Sequence, residues 1–162
     1  MAVAEIIGAA IGTMILLFVA YMLVGNVLTT AEVVSNAQKD LTILSEARLH
    51  TDLRITRAII EGNVINLTVN NTGNEIITDF PHTDVFVNKL DGSGYSVYQY
   101  SQTDNVESTW HGSIIKDYIH PGQLDPGESM FVNTFVPGSP PVGFDVKFCT
   151  DNGVYASTIV YG

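Results

Sequence analysis

The residues best able to do chemistry are widely spaced and form no recognised catalytic pattern. The four histidines, His50, His82, His111 and His120, lack the HExxH spacing of a zinc protease. Residues 92–94 (Gly-Ser-Gly) follow an aspartate in a predicted turn and do not form the GxSxG elbow of a hydrolase. The sequence also lacks a phosphate-cradling glycine loop. We therefore predict that the chain is not an enzyme and uses no metal or cofactor.

An acidic turn and the single cysteine each favour a structural role, and each has a chemical role as the alternative. Asp125 and Glu128 flank a Pro-Gly turn, so we expect solvated turn residues, with calcium binding as the alternative. Cys149 is the only cysteine, which excludes an intrachain disulfide and a CxxC zinc site. It lies in a predicted strand, where a small buried apolar residue is expected and a reactive thiol is the alternative.

Composition points to a membrane rather than to nucleic acid. The net charge is −10, which argues against binding a phosphate backbone. Only 15% of residues are charged and 46% are hydrophobic. A soluble domain carries about 25% charged residues, so an apolar segment must account for the difference.

The N-terminal region predicts that segment. No charged side chain occurs from Ile6 to Gly25, and about 20 apolar residues span a hydrocarbon core of about 30 Å. A cleaved signal peptide is the alternative, but it requires a basic region before the apolar core. Residues 1–5 contain neither lysine nor arginine, so a retained transmembrane helix is favoured.

The start of this helix carries residues suited to helix packing. Ala4, Gly8 and Gly12 are spaced by four and form a stripe that lets two backbones approach closely. Chance is the alternative, since small residues are frequent in such helices. Glu5 is favoured at a helix N-terminus by the dipole. Alternatively, it pairs with the amino group of a neighbouring subunit, as in pilin-like filaments.

The helical pattern continues beyond the membrane segment. Apolar residues recur at Val34, Ala37, Leu41 and Leu44, a short seam with 3, 4, 3 spacing. A helix that ends near Leu49 would be about 65 Å long. It would lift the following domain off the bilayer or pack on other subunits. We place the first domain, the transmembrane and extended helix, at residues 1–49.

From residue 50 to residue 162 the sequence alternates with period two between turns, which predicts a β-sandwich. The retained anchor and two sequons place this domain outside the cytoplasm. Seven strands are predicted, at residues 53–59, 64–69, 84–88, 96–100, 129–135, 142–148 and 155–161. The fold class is therefore α+β, a long N-terminal helix followed by an all-β, immunoglobulin-like antiparallel sandwich. The Cys–Trp–Cys signature of antibody domains is absent.

Three residues of this domain are candidates for modification or contact. Asn66 and Asn70 begin Asn-x-Thr sequons, which are glycosylation acceptors only outside the cell. Trp110 lies among tyrosines in a segment without clean alternation, so a loop is predicted there. An aromatic side chain on a loop suits an interface. The competing interpretation, which is slightly favoured, is that Trp110 fills the core between two sheets.

In its order of motifs the chain resembles the archaeal flagellum (archaellum) accessory proteins F and G. The similarity rests on residues 1–8 before an apolar helix, residues 65–76, the turn 124–128 (Leu-Asp-Pro-Gly-Glu) and residues 151–156. It spans nearly the whole chain. It implies an N-terminal membrane helix, an extracytoplasmic immunoglobulin-like domain, and an anchoring or stator role that holds the motor to the envelope. F-type domains would contact the S-layer.

Archaellins and archaeal pilins are the related alternative. They polymerise through the same kind of helix after a short basic leader is removed, and no such leader precedes Ala2 here. The favoured function is thus a structural component of the motility machinery, and the alternative is a filament subunit. Expected partners are the membrane and other archaellum components or the S-layer protein, together with copies of the chain as a homo-oligomer or filament.

Overall fold

A computed structural model describes residues 2–92, 94–137 and 143–162 of the chain. The predicted turn residue Ser93 and Val142, the first residue of one predicted strand, lie outside these ranges. Two compact units are present, residues 1–43 and 44–162. Helix α1 runs from Ala2 to His50, within one residue of the predicted end.

The first unit is a continuous helix with an exposed apolar surface. It contains a segment long and apolar enough to cross a membrane, with a mean hydropathy of 2.4. Its threonines do not interrupt the helix, because each hydroxyl donates to a carbonyl one turn earlier. Thr13 bonds to Ala10, Thr29 to Gly25 and Thr30 to Asn26. These hydroxyls are therefore satisfied without water, as a lipid environment requires.

The second unit contains eight strands in two four-stranded layers. The strands are β1 Leu53–Glu61, β2 Val64–Asn71, β3 Asp84–Lys89, β4 Gly94–Tyr100, β5 Thr109–Ile115, β6 Ser129–Phe135, β7 Gly143–Cys149 and β8 Tyr155–Tyr161. Sheet 1 has the order β1-β2-β6-β5 and sheet 2 the order β4-β3-β7-β8. These orders are those of an eight-stranded immunoglobulin-like sandwich, as the sequence predicted.

The two sheets enclose one hydrophobic core. Period-two alternation places one apolar set inward on each strand, such as Ile65, Leu67 and Val69 of β2, all at most 1% exposed. Val146 and Phe148 of β7 face them from sheet 2 and are fully buried. Burial of this apolar set is the main stabilising contribution to the fold.

Two features of the sandwich differ from the prediction. Residues 101–108 form a loop as predicted, but Trp110 itself lies in strand β5, so its predicted place on the loop is wrong. In addition, β4 and β5 join the sheets by a short parallel pairing, Gln99 with Thr109 and Tyr100 with Trp110, within an otherwise antiparallel arrangement. The alternation of apolar and polar residues in β5 is not visible in the sequence, because the inward-facing residue 112 is glycine. A Cβ there would lie 2.9 Å from the Trp110 ring and 2.8 Å from the Met130 sulfur.

The last turn of α1 belongs to the second unit and is capped by its loops. The His50 carbonyl accepts hydrogen bonds from the backbone N–H groups of Asn74, at 2.7 Å, and Glu75, at 3.2 Å. Asn152, in the β7–β8 turn, donates to the Thr51 hydroxyl at 2.7 Å. Carbonyls that every helix end leaves unpaired are thus satisfied by the β-domain. A Cβ at Gly73 would lie 2.4 Å from the His50 oxygen, so the loop approaches this closely only with glycine.

Candidate interaction surface

The outward side chains of sheet 2 form a mixed surface, which we call the aromatic face, with exposed tyrosine, valine and isoleucine side chains around the charged residues Asp145 and Lys147. Strand pairing sets Phe86 beside Val97 and Lys147, and Cys149 beside Tyr155. Five large side chains of the face are more than half exposed. They are Tyr95 and Val97, each 52% exposed, Ile159 at 53%, Tyr155 at 60% and Tyr161 at 67%. Exposed aromatic and aliphatic side chains grouped on one face are characteristic of contact sites.

At the middle of the aromatic face, Lys147 lies between two tyrosine rings. Its ammonium nitrogen is 4.9 Å from the centre of the Tyr95 ring and 5.8 Å from that of Tyr155. The Tyr95 hydroxyl donates to the Asp145 carboxylate at 2.7 Å. A hydrogen bond with Tyr95 raises the pKa of Lys147, and the charges of Tyr95 and Asp145 add to the effect. The face therefore presents the positive charge of Lys147, held between two tyrosine rings, beside the negative charge of Asp145.

A shallow hollow of about 270 Å³ lies beside this lysine. It is lined by Phe86, Tyr95, Lys147, Cys149 and Tyr155. Burial raises the pKa of the Cys149 thiol, and the nearby Asp84 charge raises it further. A raised pKa disfavours the thiolate, the form that reacts. The hollow thus supplies shape and apolar contact rather than a reactive group.

Trp110 is fully buried in the core between the sheets. Its indole N–H donates to the Thr83 carbonyl at 2.9 Å, and its ring packs edge-on against Phe148 at 5.4 Å. Tyr100 packs against it at 4.9 Å. These contacts agree with the core interpretation of Trp110. Because the side chain has no exposed surface, the possible interface role does not fit this position.

The two sequon asparagines lie on the outward side of β2, in the middle of sheet 1. Asn66 is 8% exposed, and its side-chain nitrogen donates to the Glu61 carboxylate at 3.1 Å. Asn70 is half-buried, and its side-chain oxygen lies 3.5 Å from the Thr56 hydroxyl. Glycan attachment needs an accessible amide nitrogen, so the fold disfavours Asn66 more strongly. Occupancy of either site stays a prediction.

The helix-packing residues lie in the first four turns of α1. Glu5 is in the first turn, while Gly8 and Gly12 are exposed. A Cβ at either glycine would have no atom within 4 Å beyond the helix's own backbone. Ala4 is exposed in the same stretch. A second helix would meet no obstruction at these positions, and their packing role stays a prediction.

The histidines and acidic residues are placed in separate local contacts. The His120 ring nitrogen lies 2.8 Å from the buried Asp125 carboxylate, and His82 lies 2.8 Å from Asp79. His111 contacts the Ser101 carbonyl at 3.0 Å. Within the described ranges, no group of three or more histidine, cysteine, aspartate or glutamate side chains is placed to hold a metal. These contacts hold the loops that carry His82 and His120 and join His111 of β5 to the residue that follows β4.

The aromatic face was not predicted from the sequence. Tyr95 and Val97, and Tyr155, Ile159 and Tyr161, each follow a period of two, which was the available signal. Alternation alone does not say which set of side chains faces outward when both sets contain tyrosine. These side chains form one surface because β3 lies between β4 and β7, and β8 pairs with β7.

Comparison with known proteins gives matches among solved structures only. No protein-family model matches the chain, and no curated protein sequence matches it. The archaellum periplasmic stator protein FlaG from Sulfolobus acidocaldarius matches with a TM-score of 0.52 and 17% identity, over 67% of this chain and 98% of that one. A chain of the archaellum periplasmic stator protein complex FlaF and FlaG, from the same organism, matches with a TM-score of 0.53 and 16% identity. That match covers 66% of this chain and 86% of the other. At these identities the similarity shows a shared fold.

Proposed function

We propose that this chain is a membrane-anchored structural component of archaeal motility machinery, an accessory or stator-type protein that acts by binding. The observation that carries the proposal is the combination of two units in one chain. One is a helix of membrane-spanning length and hydropathy. The other is a β-domain with the fold of archaellum periplasmic stator proteins. In this proposal the helix anchors the chain and the β-domain makes contacts outside the cytoplasm.

The aromatic face supplies the contact surface in this proposal. Interfaces are enriched in tyrosine, and their central side chains contribute most of the binding energy. One of the matched structures is a complex of two stator proteins, so we infer a β-domain of another archaellum component as the partner. The S-layer protein is a second candidate partner. Because Lys147 is flanked by tyrosines, we expect a carboxylate on the partner opposite it.

A filament subunit that polymerises through α1 is the alternative function. Its supporting observation is the exposed apolar surface of the helix, with the small residues Gly8 and Gly12 on it. The fold comparison favours the accessory role, because the matched structures are stator proteins.

Shearing the source cells separates the two functions. Shear removes external filaments and leaves membrane-anchored proteins with the cell body. We expect the chain in the membrane fraction after shearing, and we expect deletion of its gene to abolish swimming until the intact chain is restored. Recovery of most of the chain in the sheared filaments would overturn the accessory role. Normal swimming without the chain would overturn a role in motility.

A further inference from the structure

The hollow on the aromatic face lies over the two middle strands of sheet 2. Half-buried Phe86 of β3 and Cys149 of β7 lie at its base. Tyr95 of β4 and Tyr155 of β8 lie on either side, because these are the outer strands of the sheet. Both rings reach toward the middle of the sheet, since their centres are 4.9 Å and 5.8 Å from the Lys147 nitrogen. The hollow thus offers two flat apolar rings and one ammonium group to an occupant from outside the domain.

The charged groups beside the hollow provide both a hydrogen-bond donor and an acceptor. Among the described residues, no carboxylate forms an ion pair with Lys147, so its ammonium group has no anionic partner within the domain. The Asp145 carboxylate accepts a hydrogen bond from the Tyr95 hydroxyl, and a carboxylate has about four lone-pair sites. On a chain whose net charge is −10, a cation without an ion-pair partner marks the place where an anionic group is favoured.

We infer that the hollow binds one ring of an acidic sugar, a hexuronate residue in a glycan that the partner carries. The C–H groups on one side of a pyranose ring pack on the flat face of a tyrosine by dispersion. The sugar carboxylate then accepts a charge-assisted hydrogen bond from Lys147. A ring hydroxyl both donates and accepts, so it donates to Asp145. The inference rests on the proposed contact role of the aromatic face and names what the partner presents there.

The size and position of the hollow favour a sugar ring over a peptide or a lipid chain. Its volume of about 270 Å³ is just below the range of about 300–1,000 Å³ for small-molecule sites, which suits a single ring. Extended peptides bind the free edge of a sheet through their main chain, whereas this hollow lies over β3 and β7, which are paired on both sides. An acyl chain would place hydrocarbon against Asp145 and Lys147 without compensating hydrogen bonds.

Saturation-transfer difference NMR with the full chain in phosphatidylcholine nanodiscs tests the inference, with empty nanodiscs as the blank. The probes are the methyl glycosides of glucuronic, galacturonic and mannuronic acid and of the matching neutral sugars, glucose, galactose and mannose. N-acetylglutamic acid α-amide supplies a carboxylate on a peptide-like frame. We expect at least one uronide to bind about tenfold more tightly than its neutral sugar, because one charge-assisted hydrogen bond contributes about that much. It should also bind more tightly than the glutamate probe, which has no ring to pack on tyrosine.

Three variants locate the binding site. Lys147→Met keeps an apolar stem and removes the charge, so it should abolish the preference for the uronide. Tyr155→Leu removes a ring that lines the hollow and should weaken uronide binding about tenfold. Tyr161→Leu is the matched control, because Tyr161 is 67% exposed on the same strand and does not line the hollow. Its binding should equal that of the parent, and far-ultraviolet circular dichroism verifies that each variant is folded.

The inference is overturned if none of the three uronides shows saturation transfer, or if a neutral sugar or the glutamate probe binds as tightly. A preference for the uronide that survives in Lys147→Met, or equal losses in Tyr155→Leu and Tyr161→Leu, would overturn it as well. The shear experiment involves no sugar, so the proposed membrane-anchored role and the sugar site can fail separately.

Discussion

The two outer faces of the sandwich cover the same core but differ in what they offer to the surroundings. Sheet 1 presents amide, hydroxyl and imidazole groups, such as those of Asn66, Asn133 and His111, in the middle of its strands. Among its described residues, no large apolar side chain is more than half exposed; Ile115, at the end of β5, reaches 42%. Sheet 2 presents five that exceed half. The core does not require the exposed apolar side chains of sheet 2, and this is why we propose that they make contacts beyond the domain.

Loss of an aromatic side chain inside the sandwich should lower stability much more than loss of one on its outer surface. This is the largest difference that we expect. Trp110→Ala removes a fully buried ring and its bond to Thr83, and should lower the free energy of unfolding by roughly 3–5 kcal/mol. Tyr155→Ala, at a 60% exposed position, should change it by less than about 0.5 kcal/mol. Thermal and chemical denaturation of the two variants beside the parent measure the difference. Equal losses would mean that the aromatic face is required for folding rather than for contact.

A change outside both faces should reduce stability and leave association unchanged. Gly73→Ala forces a Cβ against the Asp52 nitrogen and the His50 oxygen, each 2.4 Å away, where the backbone must shift. Overpacking of this kind costs roughly 1–3 kcal/mol. Gly92→Ala, at a glycine with open space around it but a φ of +87°, is the matched control for backbone strain alone. An unchanged stability for Gly73→Ala in denaturation would contradict the close approach described here.

Association through the helix should be separable from association through the β-domain. Gly8→Leu or Gly12→Leu should weaken helix–helix packing by about 1 kcal/mol, because a large side chain pushes two backbones apart. Membrane insertion should persist, because transfer of a leucine side chain into the bilayer is favourable. A membrane two-hybrid or energy-transfer assay reads the helix contact, and Ile6→Leu serves as the matched control. If association is unchanged, the small residues reflect composition alone.

The smallest expected effect is a loss of stability in alkali. Burial raises the pKa of Tyr98 above its ordinary 10.0 and that of Cys149 above 9.0. Both groups hold their proton more tightly in the folded state, so their contribution is complete below pH 9.0 and is lost as pH rises. Denaturation between pH 7 and pH 11 should therefore show falling stability, with the first part of the fall reduced in Cys149→Ser. Stability that rises over this range would contradict the burial of both groups.

The sequence predicted the architecture better than the surface. Helix α1 and seven of the eight strands follow directly from the missing charges, the period-two runs and the turns. Strand β5 was missed because Gly112 makes room for the Trp110 ring and so breaks the alternation. Because the alternation was broken beside it, Trp110 resembled an aromatic residue on an exposed loop. The setting of Lys147 between Tyr95 and Tyr155 depends on tertiary strand order, which local pattern does not specify.

Labelling with a membrane-impermeant maleimide in intact source cells tests the central claim most directly. In a Cys149→Ser background, Ile159→Cys reports the aromatic face and Ser113→Cys reports the outer side of sheet 1, and both native side chains are exposed. We predict rapid labelling at position 113, strong protection at position 159, and equal labelling of both once the chain is purified in detergent. Equal labelling in intact cells would contradict a partner on the aromatic face. Labelling of position 113 only after lysis would contradict an extracytoplasmic β-domain.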